Sequence, residues 1–275
     1  MDELIIAVAP YPSEKQVERF PGTLDVPAEL IRCYDAGASI GHLHVRDANG
    51  VQTPDTALFE EQVGTVHARC PLIIEGSTGG TPENTRAERC VSFRVEGVEV
   101  GSLNLGSVNM YGAVFANPVD EIDYYLGELT ARNLKPYLDC FDLSHVARVR
   151  ELAAGGRLQA PHLFGLVLGF PDSLPYEDRY LDALVANLPA DSLWVLHRYH
   201  APGAPGFMRA LERGGHVRVG YEDGPFLADG ERARSNAELV EEAAALARSV
   251  GRTVVGPERA RELLGLPALE TSSTR

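Results

Sequence analysis

The chain has 275 residues, 44% hydrophobic and 23% charged, a balance that excludes a disordered chain and suits one α/β barrel better than two ordinary domains. Its formal net charge of −14 opposes a nucleic-acid backbone, and no Lys- and Arg-rich run with interleaved aromatics offsets that charge. The opening MDELIIAVAPY has acids where a signal peptide has bases, and its apolar run is too short for a membrane span, which predicts a cytoplasmic protein with no nucleic-acid or membrane partner.

Short apolar runs alternate with helix-length amphipathic segments, the pattern of βα units in a parallel sheet. The first strand is predicted at residues 4–9, followed by a Pro-rich loop and a helix over 27–35 that stops at Gly37. Strand two covers 39–45, and a helix over 54–68 leads to the run 72–74, a glycine loop and a helix beginning near Pro82. Strand four is 98–104. The segment 119–132 reads as a helix, 135–141 as strand five, and Ser144 as the N-cap of the next helix. Strand six is 163–168, strand seven 193–197, and strand eight 216–220 after a helix ending at Gly214 and Gly215. A long helix over 235–250 and a short one over 257–264 complete the set. Eight strands and eight following helices predict a single-domain (β/α)₈ TIM barrel over 1–269 with a loose tail over 270–275. An open doubly wound sheet is the weaker reading, because no GxGxxG turn follows an early strand. Cys33, Cys70, Cys90 and Cys140 have no CxxC spacing and read as buried small hydrophobes.

Alternate residues of a strand share a face, so His42, His44 and Arg46 point one way, and so do His216, Arg218, Gly220 and Glu222. Strands two and eight are both even-numbered, and side chains of one interior layer come from alternate strands. Two imidazoles from strand two and the Glu222 carboxylate then meet at the C-terminal mouth and leave one coordination position open, the ligand count of a catalytic zinc site. A His-x-His pair alone is as well explained by two core histidines, but a carboxylate and an arginine inside a barrel mouth need partners. In the loop after strand three, Ser77, Thr78 and Gly79 offer hydroxyls and backbone N–H groups to an anionic ligand, unless the loop is only a tight turn. Ser102 and Asn104 share a face at the end of strand four, and Glu14 follows strand one, which lies between the two strands that supply the ligands.

Five segments together resemble the β-keto acid cleavage enzyme family: GHLHVRD at 41–47, STGG at 77–80, SLNLGSVN at 102–109, GGHVRVGYED at 214–223 and SNAELV at 235–240. The resemblance implies a zinc-bearing barrel, usually a homotetramer, that exchanges acyl groups between a β-keto acid and acetyl-CoA to give acetoacetate and a new CoA thioester. It puts the metal ligands on His42, His44 and Glu222, the catalytic pair on Arg218 and Asp223, and the groups that hold the keto acid on Glu14, Ser77 and Ser102. The chain departs from the family pattern in three places. PYPSE at 10–14 replaces a glycine-containing turn, Tyr137 stands where a glutamate is common, and the segment with Arg198 and His200 is shorter than usual. A zinc hydrolase is the competing enzymatic reading, lowered by the absence of inward histidines on strands five and six, and a barrel that binds a metal or ligand without catalysis is the third.

Overall fold

The structure is a computed structural model and describes residues 2–12, 24–80, 83–199 and 205–269. Eight parallel strands close into a barrel: β1 (Ile6–Val8), β2 (Ile40–Leu43), β3 (Ile73–Gly76), β4 (Val98–Asn104), β5 (Lys135–Cys140), β6 (His162–Leu168), β7 (Ser192–Arg198) and β8 (His216–Val219), which pairs back onto β1. Around them lie α1 (Val26–Ala36), α2 (Ala57–His67), α3 (Arg86–Arg89), α4 (Val119–Ala131), α5 (Leu143–Ala154), α6 (Asp178–Ala186), α7 (Pro205–Glu212) and α8 (Asn236–Ser249), followed by α9 (Pro257–Leu264). The TIM barrel expected from the alternation of elements is the fold observed. None of the described helices is long and apolar enough to cross a membrane.

The interior separates into two apolar bodies. Outward residues of the strands pack against the helices, as with Leu30 of α1, Phe59 of α2 and Val240 of α8, each fully buried. Burying a side chain of that size is worth about 1.5–3 kcal/mol, which makes this layer the main source of stability. Inward residues fill the lower barrel: Ile5, Ala7, Ile40, Ile73, Val100, Leu163 and Val195 form one cluster, closed beneath by Val255, Ala260 and Leu264 of the C-terminal segment. Above that apolar plug the inward positions turn polar, and the register pairs His42 with Glu75, His197 with Arg218, and Asp139 with Gly165. The site therefore rests on a packed floor. His216, also inward, lies in the lower barrel, where its Nδ1 accepts from Ile5 N–H at 3.0 Å and burial pushes its pKa down to about 3.

Several boundaries differ from the sequence reading for identifiable reasons. The helix expected from Pro82 is the four-residue α3, which starts at Arg86 behind a capping box of Thr85 and Glu88. The N-cap of α5 is Asp142, not Ser144, and its Oδ1 accepts from Ser144 N at 2.7 Å and Ser144 Oγ at 2.6 Å. Val108–Met110 and Ala113–Phe115 form a small hairpin after β4 that the sequence reading did not anticipate. Strand eight stops one residue early because Gly220 has φ +133°, and a side chain there would meet the Ala9 carbonyl oxygen at 2.2 Å. All four cysteines are buried and free. The expected tail over 270–275 lies outside the described residues.

Candidate metal centre and active site

His42 on β2 and His44 just beyond it turn their imidazoles to one point, with Nε2 atoms 3.2 Å apart. Glu222 closes the group: its two carboxylate oxygens lie 3.5 Å from His42 Nε2 and 3.5 Å from His44 Nε2. One ligand atom from each residue lies within 4.8 Å of the others. His42 is buried, whereas His44 and Glu222 are half-buried and face the mouth. Two imidazole lone pairs facing each other beside a carboxylate repel unless a cation sits between them, so the donor set fits a divalent metal with an open position.

The outer contact of His42 fixes its tautomer. Glu75 Oε1 on β3 stands 2.9 Å from His42 Nδ1, which keeps that proton on Nδ1 and leaves the Nε2 lone pair for the centre. Glu75 is fully buried, a placement that costs several kcal/mol for an unpaired carboxylate and so points to a cationic neighbour. The Gln52 side-chain Nε2 lies 3.0 Å from His44 Nδ1, where an amide N–H donates to the Nδ1 lone pair; turning the amide over would place its oxygen there to accept Nδ1–H and leave the His44 Nε2 lone pair for a metal. Burial tends to lower the His42 pKa, but Glu75 and Glu222 outweigh it and raise it; burial lowers that of His44. Burial works to raise the Glu222 carboxyl, yet His42, His44 and Arg218 together hold it well below the ordinary range. Sequence reasoning missed Glu75, although a carboxylate ending the apolar run 72–74 was a usable signal.

Arg218 reaches up from β8 and holds both acids of the turn. Its Nε donates to Asp223 Oδ2 at 2.7 Å, and the same terminal nitrogen donates to Asp223 Oδ1 at 2.5 Å and to Glu222 Oε1 at 3.2 Å. Strand alternation predicts that Glu222 and Asp223 point to opposite faces. That alternation ends at Val219. Beyond Gly220 the chain forms a turn in which Asp223 N and Gly224 N both donate to the Gly220 carbonyl, and this brings both carboxylates to one guanidinium. Burial pushes the Asp223 carboxyl up against the pull of Arg218; burial works to lower the Arg218 pKa, but Asp223 and Glu222 outweigh it and raise it. Arg218 orients this carboxylate, and burial makes it more basic than an exposed one.

The remaining expected residues divide. Thr78 N donates to Ser102 Oγ at 2.8 Å and Gly79 N to Ser77 Oγ at 2.9 Å, so these two N–H groups serve the loop itself and do not face an anionic ligand. As the acceptor in its bond, Ser77 retains a hydroxyl proton to donate, whereas Ser102 Oγ also lies 3.3 Å from Thr78 Oγ1, whose own proton goes to the Ser102 carbonyl at 3.2 Å. Asn104 Nδ2 donates to Thr78 Oγ1 at 3.3 Å, and Arg89 Nε donates to the Thr78 carbonyl at 3.1 Å, which braces the loop from below. Arg46 leaves the site: its guanidinium lies 4.5 Å from the Tyr11 ring centroid and donates to the Gly50 carbonyl at 2.6 Å. Arg198 points outward and stacks on Tyr176 at 5.0 Å. Glu14 and His200 lie outside the described residues.

Across the mouth the structure adds a second polar group that the sequence reading did not assign. Burial holds the Tyr137 phenol in its protonated form, and it meets His197 Nε2 at 2.9 Å, which leaves the His197 proton on Nδ1, 3.7 Å from Asp139 Oδ1. Burial, Arg218 and His42 keep His197 neutral, and burial with Glu75 raises the Asp139 carboxyl. Asp139 and His197 approach each other over Gly165, where a Cβ would meet Asp139 Oδ1 at 2.2 Å and His197 Cε1 at 2.8 Å. Gly165→Ala is therefore expected to destabilise the protein by about 1–3 kcal/mol through overpacking. Urea unfolding measures this, and an unchanged midpoint would show that Asp139 moves aside freely.

A family model described as beta-keto acid cleavage enzyme matches residues 3–266. The chain belongs to the β-keto acid cleavage enzyme family. It is 34% identical over 272 residues to the 3-keto-5-aminohexanoate cleavage enzyme of Acetoanaerobium sticklandii, with 97% of this chain and 99% of that protein covered. It is 30% identical over 275 residues to the 3-oxoadipate:acetyl-CoA acetyltransferase of Cupriavidus necator, with 97% and 96% covered. Among solved structures, the ternary complex of ObcA with C4-CoA adduct and oxalate superposes with a TM-score of 0.74 at 21% identity, covering 88% of this chain and 66% of that one, a likeness of fold. The motifs shared with β-keto acid cleavage enzymes acquire physical reasons here. In the segment 235–240, Asn236 Oδ1 accepts from Tyr221 N at 2.8 Å, and Asn236 donates through N and Nδ2 to the buried Glu29 at 2.6 Å and 2.9 Å and through Nδ2 to the Pro10 carbonyl at 3.2 Å. That network ties the start of α8 to α1 and to the turn that carries Glu222 and Asp223.

Proposed function

We propose that the protein is an acetyl-CoA-dependent acyltransferase that exchanges acyl groups between a β-keto acid and acetyl-CoA, releasing acetoacetate and a new acyl-CoA thioester, with zinc as its metal. The observation that carries this reading is the convergence of His42, His44 and Glu222 with the Arg218–Asp223 pair at the C-terminal mouth of a barrel of this family. His42, His44 and Glu222 would hold the zinc, which when bound would supply Lewis-acid polarisation of a substrate carbonyl. Asp223 takes the acidic proton from the carbon that lies between the keto and carboxylate groups and returns it later. Arg218 orients Asp223 in two-point contact and stabilises the negative charge that develops as the acyl group moves. Ser77 and Ser102, with Glu14, hold the keto acid, and the hydroxyl proton of Ser77 is suited to a carboxylate.

Incubating the protein with acetyl-CoA and a panel of β-keto acids, with acetoacetate and new thioesters followed by mass spectrometry, tests the reading. Hydrolysis without acetyl-CoA would replace it with a zinc hydrolase. Glu75→Gln provides a second check, because an amide orients His42 less firmly and makes it a weaker base. Metal affinity is expected to fall about 10–100-fold in a competition titration with a chelator. Unchanged affinity would reduce Glu75 to a structural group.

A further inference from the structure

A cavity of about 330 Å³ lies between α7 and α8, outside the strand wall, and the end of β8 and the turn after it, from Arg218 through Gly220 to Asp223 and Gly224, contribute to its lining. Phe207, Phe226, Leu239, Ala243 and Leu246 supply apolar lining. The α8 residues among its walls run from Leu239 to Ser249, a span of about 15 Å at the 1.5 Å helical rise, so the cavity is long and leads away from the mouth. At roughly 30 Å³ per water, its volume corresponds to about eleven waters, too large for a packing defect and apolar enough to favour carbon over water.

We infer that this cavity receives the aliphatic side chain of the acyl group, and that the substrates are straight-chain β-keto acids with an apolar tail. The inference rests on the acyltransferase reading for the identity of the head group. Two thin chains approach such a reaction centre, the acyl tail and the pantetheine arm of the CoA thioester. Pantetheine carries two amides that need hydrogen-bond partners when buried. The polar side chains on these walls are engaged within the protein: Arg198 stacks on the Tyr176 ring at 5.0 Å, Glu242 accepts from Ala228 N at 2.8 Å, Ser249 Oγ donates to the Leu246 carbonyl at 2.7 Å, and Arg218 is bound to Asp223. An alkyl chain makes no such demand. Its head would lie against Arg218 and Asp223, where the acyl carbon must be for the proposed transfer.

Two measurements test the assignment. The first is calorimetric titration of the wild-type protein with decanoate in the absence of acetyl-CoA, which requires no turnover. The second is kcat/KM for 3-oxopentanoate, 3-oxohexanoate, 3-oxooctanoate and 3-oxodecanoate with acetyl-CoA. Wild type should bind decanoate, and its kcat/KM should rise about fourfold per methylene until the cavity is full. Ala243→Phe, and Leu246→Phe at a half-buried position that puts less strain on folding, should abolish decanoate binding and flatten the chain-length series, while 3-oxopentanoate stays within about twofold of wild type. Decanoate binding that is absent in wild type, or equal in wild type and the folded variants, overturns the inference. Decanoate binding that the variants block, with no thioester formed from any keto acid, supports the cavity and overturns the acyltransferase reading instead.

Discussion

Turnover in Arg218→Lys is expected to fall by about 10²–10³ with metal content unchanged, the scale of losing one positioned donor to developing negative charge. The reason lies in the contact geometry. Arg218 places one nitrogen 2.7 Å from Asp223 Oδ2 and another 2.5 Å from Asp223 Oδ1, and the second also reaches Glu222. Lysine carries the same charge as a single point and cannot occupy both carboxylate oxygens in a plane, so Asp223 loses its fixed orientation. Arg218→Ala should behave differently. It leaves Asp223 buried opposite no cation, a change that typically costs about 3–5 kcal/mol, and so lowers stability along with activity. Steady-state kinetics on the Lys variant, with the melting temperature of both, separates the two effects. Activity within threefold of wild type in Arg218→Lys would mean that charge alone suffices and that the two-point contact is structural.

The parts legible in the sequence share one property: they follow from periodicity. The apolar runs of β4, β6 and β7 and the amphipathic length of α8 state their own secondary structure, and eight repeats of strand and helix leave few alternatives to a closed barrel. Alternation on β2 likewise directs His42 inward, and His44 continues that direction past the last paired residue. What stayed hidden depends on particular backbone angles or on residues far apart in the chain. The positive φ at Gly220 turns Asp223 toward Arg218, and nothing in the residue pattern separates that glycine from one in a straight strand. Tyr137, Asp139, Gly165 and His197 come from three strands, and their grouping requires the register of the closed barrel. Gly165 alone carried a faint local mark, since a glycine within the fully buried β6 weakens a strand unless something approaches it closely. The N–H groups of Thr78 and Gly79 show the opposite case, where a glycine loop suggested anion binding and its own serines already occupy those donors.

The two neighbouring acids should separate cleanly in a paired experiment, and the basis has shifted from strand alternation to contacts. Both touch Arg218, so proximity to the guanidinium does not distinguish them. Only Glu222 also lies 3.5 Å from both His42 Nε2 and His44 Nε2, while the two oxygens of Asp223 are taken by Arg218. Glu222→Gln replaces a carboxylate with a neutral amide at a proposed metal ligand, and zinc affinity is expected to drop by at least about 100-fold, beyond the loss for Glu75, which would only orient a ligand. Asp223→Asn should keep zinc, because the amide oxygen still accepts from Arg218 and the three proposed ligands are untouched. Its turnover should fall by about 10²–10⁴, the usual contribution of a general acid-base group. Elemental analysis after dialysis, run beside an assay for thioester formation, reads both quantities on the same samples. Zinc lost from Asp223→Asn and kept in Glu222→Gln would reassign the ligand to Asp223, and the turn after Gly220 would then have to open to carry that carboxylate away from Arg218.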